Sequence, residues 1–125
     1  METIRQIIDD ALDGKLHYGS YSVKMMELGV EIIALDCLRS IHTCYMNDGR
    51  VFEYPVDEKH NFPVAKIFSQ VGVVAALEKY DSESITAREF LKALCDAGVA
   101  YARCAYAANK AMYVGLNQDV HLEQW

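Results

Sequence analysis

The sequence contains no long apolar run and no cysteine spacing typical of a metal or redox site. No stretch approaches the ~20 apolar residues that a membrane-spanning helix needs, so we expect no membrane span. The four cysteines form no C-x-x-C pair, which removes the usual support for a zinc knuckle or a thioredoxin-type site. We therefore predict neither a bound metal nor a cofactor. The cysteines are Cys37, Cys44, Cys95 and Cys104.

Basic residues are too scattered for a surface that binds nucleic acid. The chain carries 12 basic and 18 acidic side chains, a formal charge of −6, with no lysine or arginine cluster. Affinity for phosphate backbones comes mainly from basic contacts, so this balance argues against a nucleic-acid partner. The first residues, Met1-Glu2-Thr3, lack the basic start and the apolar core of a secretory signal. We expect a cytoplasmic protein whose cysteines stay reduced.

The chain does contain enough apolar material for one packed domain, and a stretch that occurs twice. Of its 125 residues, 52% are apolar, which supports a core and argues against disorder. Residues 25–30 and 94–99 each show the pattern of a last helical turn, a glycine and the start of a strand. Gly29 and Gly98 fit this pattern because the position after a helix often turns left-handed, a conformation that glycine adopts without strain.

We therefore predict an α+β fold made of two similar halves, each with two helices followed by antiparallel strands, in one compact domain. The predicted bounds are 1–56 for half one, 57–62 for a polar linker and 63–125 for half two. The halves align without gaps from Tyr21/Phe90 to Val30/Val99. Beyond this segment the alignment needs slips of one residue, and the first helices match only with a four-residue insertion. The sequence leaves open whether the strands form one sheet or two.

Capping patterns and apolar spacing place the helices, and alternating spacing places the strands. A Thr-x-x-Gln box at Thr3 opens the first helix, and a Thr-x-x-Glu box at Thr86 opens the fourth. Ser20 or Ser22 is expected to cap the second helix, and 63–68 is expected to be extended. The predicted helices cover about 4–13, 20–28, 69–80 and 86–97. The predicted strands are 30–37, 41–46, 50–54, 99–106, 110–114 and 119–123.

Several of these segments resemble a small bacterial and prophage family. They are Ile85-Thr86-Ala87-Arg88-Glu89-Phe90, Ala97-Gly98-Val99, Tyr113 and His121-Leu122-Glu123, with the first-half segment from Tyr21 to Gly29-Val30 and the Asp48-Gly49 turn. On these residues the chain is similar to the YbcV/YdfO-like family of unknown function, some of whose members are named phage envelope proteins. The resemblance covers nearly the whole chain and implies a small α+β domain. It implies no activity, substrate or catalytic residue.

Two histidines and two glutamates on the predicted strands are candidate ligand-binding residues. His121 and Glu123 lie two residues apart on one strand and so share a face. If the halves pack symmetrically, His42 and Glu53 of half one join them. Such a cluster suits a divalent metal or an acid–base pair, because a neutral imidazole beside a carboxylate is tuned for proton transfer near neutral pH. The alternative is that these are exposed polar residues on the outer face of a sheet.

Two strand cysteines, Cys44 and Cys104, are candidate nucleophiles. A catalytic cysteine needs its pKa lowered by a nearby histidine, a basic group or a helix N-terminus, and His42 shares the predicted face of Cys44. The alternative is that both cysteines are small core residues. The sequence has no Gly-rich phosphate loop, no G-x-S-x-G and no H-E-x-x-H motif.

Two function classes remain. The first is a non-enzymatic protein-interaction or regulatory module with an unidentified protein partner, and self-association as a homo-oligomer belongs to this hypothesis. Eight tyrosines support it, because tyrosine suits interfaces. The second is a small-molecule- or metal-binding domain, or a small enzyme, with its site between the halves near His42, Cys44, His121 and Glu123. A filled interface between the halves favours the first class, and a concave cavity with converging polar groups favours the second.

Overall fold

Four α-helices and one six-stranded antiparallel sheet make up the fold of residues 3–125. The computed structural model describes residues 3–125, so Met1 and Glu2, which contribute to the expectation of no secretory signal, lie outside it. The helices are α1 (Ile4–Leu12), α2 (Tyr18–Glu27), α3 (Gln70–Asp81) and α4 (Ala87–Asp96), with a 3-10 turn over Glu58–His60. The strands are β1 (Val30–Asp36), β2 (Ile41–Met46), β3 (Val51–Pro55), β4 (Val99–Ala105), β5 (Lys110–Gly115) and β6 (Val120–Gln124).

The strands join in the order β3-β2-β1-β4-β5-β6, so the strands of the two halves form a single sheet. Each neighbouring pair of strands is antiparallel. β1 and β4 pair at the centre, with Ile33 opposite Cys104 and Leu35 opposite Ala102. The two sets of three strands are therefore one continuous surface, and helices before either set pack on the same sheet.

Helix capping follows the sequence at two helices and departs from it at a third. The Thr3 hydroxyl accepts a hydrogen bond from the Gln6 backbone N–H, and α4 begins with the complete Thr86/Glu89 capping box. The prediction for α2 is wrong, because the helix begins at Tyr18 and Ser20 lies inside it. The aromatic and apolar residues at positions 18, 21 and 25 form one stripe, and packing of that stripe carries the helix back past Gly19.

The alternation of the strands confirms the predicted faces. In β2, the side chains of His42, Cys44 and Met46 are buried beneath the helices, and the intervening residues are half-exposed on the other face. β3 includes Pro55 as its last residue, where we expected the strand to end one residue earlier. An edge strand tolerates proline there because its outer N–H groups need no ladder partner.

Backbone conformation repeats along the chain at a constant separation of 69 residues. Four pairs of elements start and end 69 positions apart: α2 and α4, β1 and β4, β2 and β5, and β3 and β6. The last residues of α1 and α3 are also 69 positions apart, but α3 starts three residues earlier than this offset predicts. The left-handed residues obey the same rule: Gly14 and Glu83, Gly29 and Gly98, Ser40 and Asn109, Gly49 and Gln118. The one-residue slips and the four-residue insertion of the sequence alignment are therefore wrong, because the structural equivalence runs through without gaps.

The core lies between the helices and one face of the sheet, in two adjoining clusters. The first gathers buried residues of α1, α2 and α4 against β1 and β2, around Met25 and Cys44. The second gathers α3 and α4 against β4 and β5, around Val73 and Leu94. The other face of the sheet has no helix over it in the described part of the chain, and Leu122 there is 70% exposed.

The two left-handed glycines Gly98 and Gly49 provide a matched test of this packing. Both have φ near +90°, but a Cβ at Gly98 would overlap the Ile67 carbonyl oxygen, and one at Gly49 would meet no atom within 4 Å. We expect Gly49→Ala to lower the free energy of unfolding by about 1 kcal/mol, from backbone strain alone. Gly98→Ala should lower it by about 2 kcal/mol more, because the segment 67–68 must also shift. Equal losses in urea unfolding would contradict the close approach.

Candidate functional site

A cavity of about 100 Å³ lies between the helices and the centre of the sheet. All four α-helices and every strand except the edge strand β3 contribute to its wall. Seven aromatic side chains surround it: Tyr18, Tyr21, Tyr80, Phe90, Tyr106, Tyr113 and Trp125. The wall is otherwise mainly aliphatic, so the cavity suits an apolar or aromatic guest.

Small side chains on β4 create the free space. Ala102 and Cys104 stand on the helix side of the strand, where Ile33 and Leu35 of the neighbouring β1 face them across the sheet. Helices pack against a sheet at a distance set by their larger side chains, so short side chains beneath them leave a volume that the backbone cannot close. The aromatic rings from the helices line this volume without filling it.

Three of the aromatic rings are packed against one another and tie three helices together. The ring centroids of Tyr18 in α2 and Tyr80 in α3 are 4.8 Å apart at an interplanar angle of 60°. Tyr80 also stacks on Phe90 in α4, with centroids 4.2 Å apart and planes within 9°. Such ring pairs favour a defined arrangement beyond simple burial. The wall of the cavity is therefore largely pre-formed.

The cavity meets solvent at a rim formed by Tyr18, Asp81, Glu123 and Trp125, which we call the acidic rim. Asp81 and Trp125 are exposed, whereas Tyr18 and Glu123 are half-buried. Burial raises the pKa of the Glu123 carboxyl, and the negative charge of Asp81 raises it further. Burial also raises the pKa of Asp81. Neither carboxylate has a hydrogen bond or ion pair with any other residue that the structure describes.

His42 supplies a polar group at the other side of the cavity. Its side chain is only 7% exposed, and its Nδ1 atom has no hydrogen-bond partner among residues 3–125. Burial lowers the pKa of His42 to about 4, with smaller contributions from the positive charges of Arg5 and His60. The imidazole is therefore neutral at physiological pH, and it offers either a donor or an acceptor to a neighbour.

Of the five candidate residues, the structure places His42 and Glu123 on the cavity wall. They stand on β2 and β6, and three strands lie between these in the sheet. Strands are about 4.8 Å apart, so the two backbones are separated by about 19 Å. The structure does not bring them together as an acid–base pair, but it places them at opposite ends of one cavity.

The other three candidates lie outside the wall. His121 shares the face of Glu123, as the spacing predicts, and its Nδ1 is 3.0 Å from the Gln70 side-chain nitrogen. Glu53 pairs with Thr43 on the opposite, open face of the sheet and is exposed. Cys44 is fully buried in the core, and burial raises the pKa of its thiol to about 11. His42 shares its face but does not activate it.

Four of the wall residues carry the chemistry of the site and were not singled out in the sequence as a group: Tyr18, Tyr80, Asp81 and Trp125. Asp81 was expected in a loop, but it is the last residue of α3. A negative charge at the C-terminal end of a helix interacts unfavourably with the helix dipole. This would have marked Asp81 in the sequence if the predicted helix had been one residue longer. The tyrosines were visible only as a high count.

No protein-family model and no curated protein matches the chain. Within residues 3–125, no helix has both the length and the apolar character needed to cross a membrane. No group of three or more His, Cys, Asp or Glu in that range is placed to share a metal ion.

The buried imidazole of His42 predicts a specific pH dependence of stability. Its pKa is about 4 in the folded protein, against 6.5 for an unperturbed histidine, so between these values the unfolded chain binds the proton more readily. The contribution of His42 is fully present above pH 6.5 and is lost as pH falls towards 4, to a total of about 3 kcal/mol.

His42→Phe keeps a ring in the cavity wall and removes the proton site. The unfolding free energies of both proteins are measured in urea from pH 7.5 to 4. The wild-type value minus the variant value should decrease as the pH is lowered. Asp81 and Glu123, whose raised pKa values act in the opposite direction, are common to both proteins and cancel. Parallel curves for the two proteins would show that His42 is not buried as described.

Proposed function

We propose that the protein is a non-enzymatic ligand-binding domain that holds a small, mainly apolar or aromatic organic molecule in the cavity between its helices and its sheet. The observation that supports this most is the cavity itself, about 100 Å³ of free space surrounded by seven aromatic side chains. An engineered apolar cavity of ~150 Å³ binds benzene. This smaller space opens to solvent, so it takes a short alkyl chain or part of a ring, with the rest of the ligand at its mouth.

The free volume lowers stability, which supports a functional reason for it. Residual cavities in protein cores destabilise the folded state by about 24 cal/mol per Å³, so this one corresponds to about 2 kcal/mol. Larger side chains at Ala102 or Cys104 would recover part of that loss. Two carboxylates without partners add to the unfavourable balance. Features that lower stability in one place are typical of binding sites.

The state of the titratable groups in the wall favours binding over catalysis. Burial raises the pKa of the Cys104 thiol to about 12, so the thiol is protonated at neutral pH and is a poor nucleophile. His42 is neutral, and no acid or base in the wall lies within hydrogen-bond reach of it in the described chain. We therefore favour a role in sensing, carrying or sequestering a molecule over one in transforming it.

The protein-interaction role stays a prediction, and one observation weakens its original support. Five of the eight tyrosines line the cavity, so the high tyrosine count is better explained by the wall than by an external interface. Self-association, cytoplasmic location and membership of the YbcV/YdfO-like family also stay predictions. Each is compatible with a small domain that binds a ligand.

We also propose that the chain arose by duplication of a unit of two helices and three strands. The support is a constant offset of 69 residues. It relates four pairs of elements at both ends, α1 and α3 at their last residues, and four pairs of left-handed residues. Left-handed non-glycine residues are uncommon, so their repetition at one spacing is hard to explain by convergence. In an alignment of relatives, residue preferences of the two halves should correlate best at an offset of 69; a maximum elsewhere would contradict the proposal.

Filling the cavity from β4 tests the proposed function. In Cys104→Leu the larger side chain enters the free space, so we expect a stability change of about 1 kcal/mol or less and a loss of ligand binding. The neutral compound neopentylbenzene serves as the ligand, and binding is followed by the fluorescence of Trp125, the only tryptophan. The wild type should show saturable binding, weakened at least tenfold in the variant.

Tyr101→Ala is the matched control, because Tyr101 lies on the same strand but on the open face of the sheet and is 40% exposed. It should bind neopentylbenzene as the wild type does. Binding that is lost in Tyr101→Ala and retained in Cys104→Leu would place the ligand on the open face and overturn the proposal.

A further inference from the structure

We propose that the ligand is an organic cation, whose apolar or aromatic body occupies the cavity and whose ammonium group lies at the acidic rim between Asp81 and Glu123. This inference rests on the proposed function, since it concerns the same cavity, and it adds the chemical class of the molecule. It follows from the charge, the partners and the aromatic surroundings of the two carboxylates.

Within residues 3–125, the two carboxylates have no ion-pair partner. Asp81 and Glu123 raise each other's energy by like-charge repulsion, which is one cause of the raised pKa of Glu123. Asp81 is also the last residue of α3, where the helix dipole disfavours negative charge. No lysine lines the cavity in the described chain. A bound cation would offset both the like-charge repulsion and the unfavourable interaction with the helix dipole.

The one arginine among the wall residues, Arg103, does not neutralise the rim. Its guanidinium carbon lies 5.3 Å from the ring centroid of Tyr45. Tyr45 alternates with His42 and Cys44 along β2, so its ring is on the open face of the sheet. The charge of Arg103 is therefore directed away from the helix side, and the cavity borders it only through the strand.

Apart from His42, which is neutral, the remaining titratable groups on the helix side of the cavity are acids. The negative charge of Glu123 is a cause of the raised pKa of Tyr113, and the charge of Asp81 is a cause of that of Tyr80. Both charges also contribute to the raised pKa of Tyr18. These groups are thus close enough to share one electrostatic environment, and that environment is negative. It attracts cations and repels carboxylate or phosphate ligands.

Aromatic rings in the same wall favour an organic cation in particular. Tyr18 is close enough to Asp81 and Glu123 for both charges to raise the pKa of its hydroxyl, Tyr80 packs against Tyr18, and Trp125 lines the same cavity. Ring faces attract ammonium groups, and this attraction is strongest where water is excluded. A divalent metal is the other cation to consider, but it prefers several oxygen or nitrogen ligands, and no set of three is placed for it within residues 3–125.

His42 is the buried polar residue of the cavity wall. It is more than nine-tenths buried, it lines the wall, and its Nδ1 atom has no partner in the described chain. A buried polar atom without a partner is unfavourable unless something bonds to it. His42 also borders a second, water-sized space beside His60 and Cys95, so either that space or the ligand cavity can supply the partner of this atom.

A pair of isosteric ligands isolates the effect of charge. Benzyltrimethylammonium and neopentylbenzene have the same shape, and only the central nitrogen or carbon of the branched group differs. We would titrate both into the full-length protein at pH 8, where the carboxylates are ionised, and follow Trp125 fluorescence. The cation should bind at least about tenfold more tightly, the preference expected for a partly desolvated ammonium beside rings and carboxylates.

Three variants show whether the acidic rim causes the preference. Glu123→Gln and Asp81→Asn should each weaken binding of the cation about threefold to tenfold and leave binding of the neutral compound unchanged. Glu53→Gln removes the same charge from the open face and should change neither affinity. Circular dichroism confirms that each variant is folded before its affinity is compared.

The outcomes separate this inference from the proposed function. Equal affinity for the two compounds, or equal weakening of both in Glu123→Gln, would overturn the organic-cation inference while the cavity stays a binding site. Failure of both compounds to bind the wild type would overturn the proposed function as well. Cation binding that Glu53→Gln weakens as strongly as Glu123→Gln would also overturn the inference, because it would reflect net charge alone.

Discussion

The pairing of β1 with β4 is the contact on which the rest of the structure depends. This ladder runs from Ile32 opposite Ala105 to Asp36 opposite Tyr101, and two further backbone hydrogen bonds extend it at its ends. It merges two sets of three strands into one sheet, so the helices that precede each set must pack side by side on a single face. The helices cannot all approach the seam equally closely, and the cavity lies above that seam.

The side chains over the seam then decide what the cavity can hold. Ala102 and Cys104 leave room, and the rings from the helices give that room a rigid aromatic wall. A larger apolar residue at either strand position would raise stability at the expense of the cavity. Asp81 and Glu123, which have no ion-pair partner within residues 3–125, also lower stability, since a basic neighbour would stabilise each carboxylate. The molecule thus combines a well-filled core around Met25 and Leu94 with one region that is left open, uncompensated and acidic.

Much of the fold was predictable because local chemistry agrees with tertiary structure. The capping residue Thr86, the glycine stop at Gly98 and the alternation of β2 each specify an element through short-range effects. The order of the strands was not predictable, because pairing β1 with β4 depends on contacts between residues about 70 positions apart. The start of α2 was missed for a related reason, since burial of Tyr18 outweighs the capping preference of Ser20.

The candidate site was predictable only in part. Strand alternation predicted that His42 shares a face with Cys44, and Glu123 with His121. The structure puts these faces on the helix side of the sheet, and His42 and Glu123 line the cavity. Their separation by three strands follows from the strand order, which the sequence left open. Glu53 was assigned to the same cluster, but its partner Thr43 puts it on the other face. The role of Asp81 depends on the position of α3 relative to β6, which no local pattern encodes.

The most direct test is to locate a bound apolar molecule by intermolecular nuclear Overhauser effects between neopentylbenzene and isotope-labelled protein. The account predicts contacts with the Ala102 methyl group and with the rings of Tyr18 and Tyr80, all of which line the cavity. Contacts confined to Val51, Val120 and Leu122, which are exposed on the open face of the sheet, would contradict it. Such contacts would show that the compound binds to the open face of the sheet, as expected of a protein-interaction module.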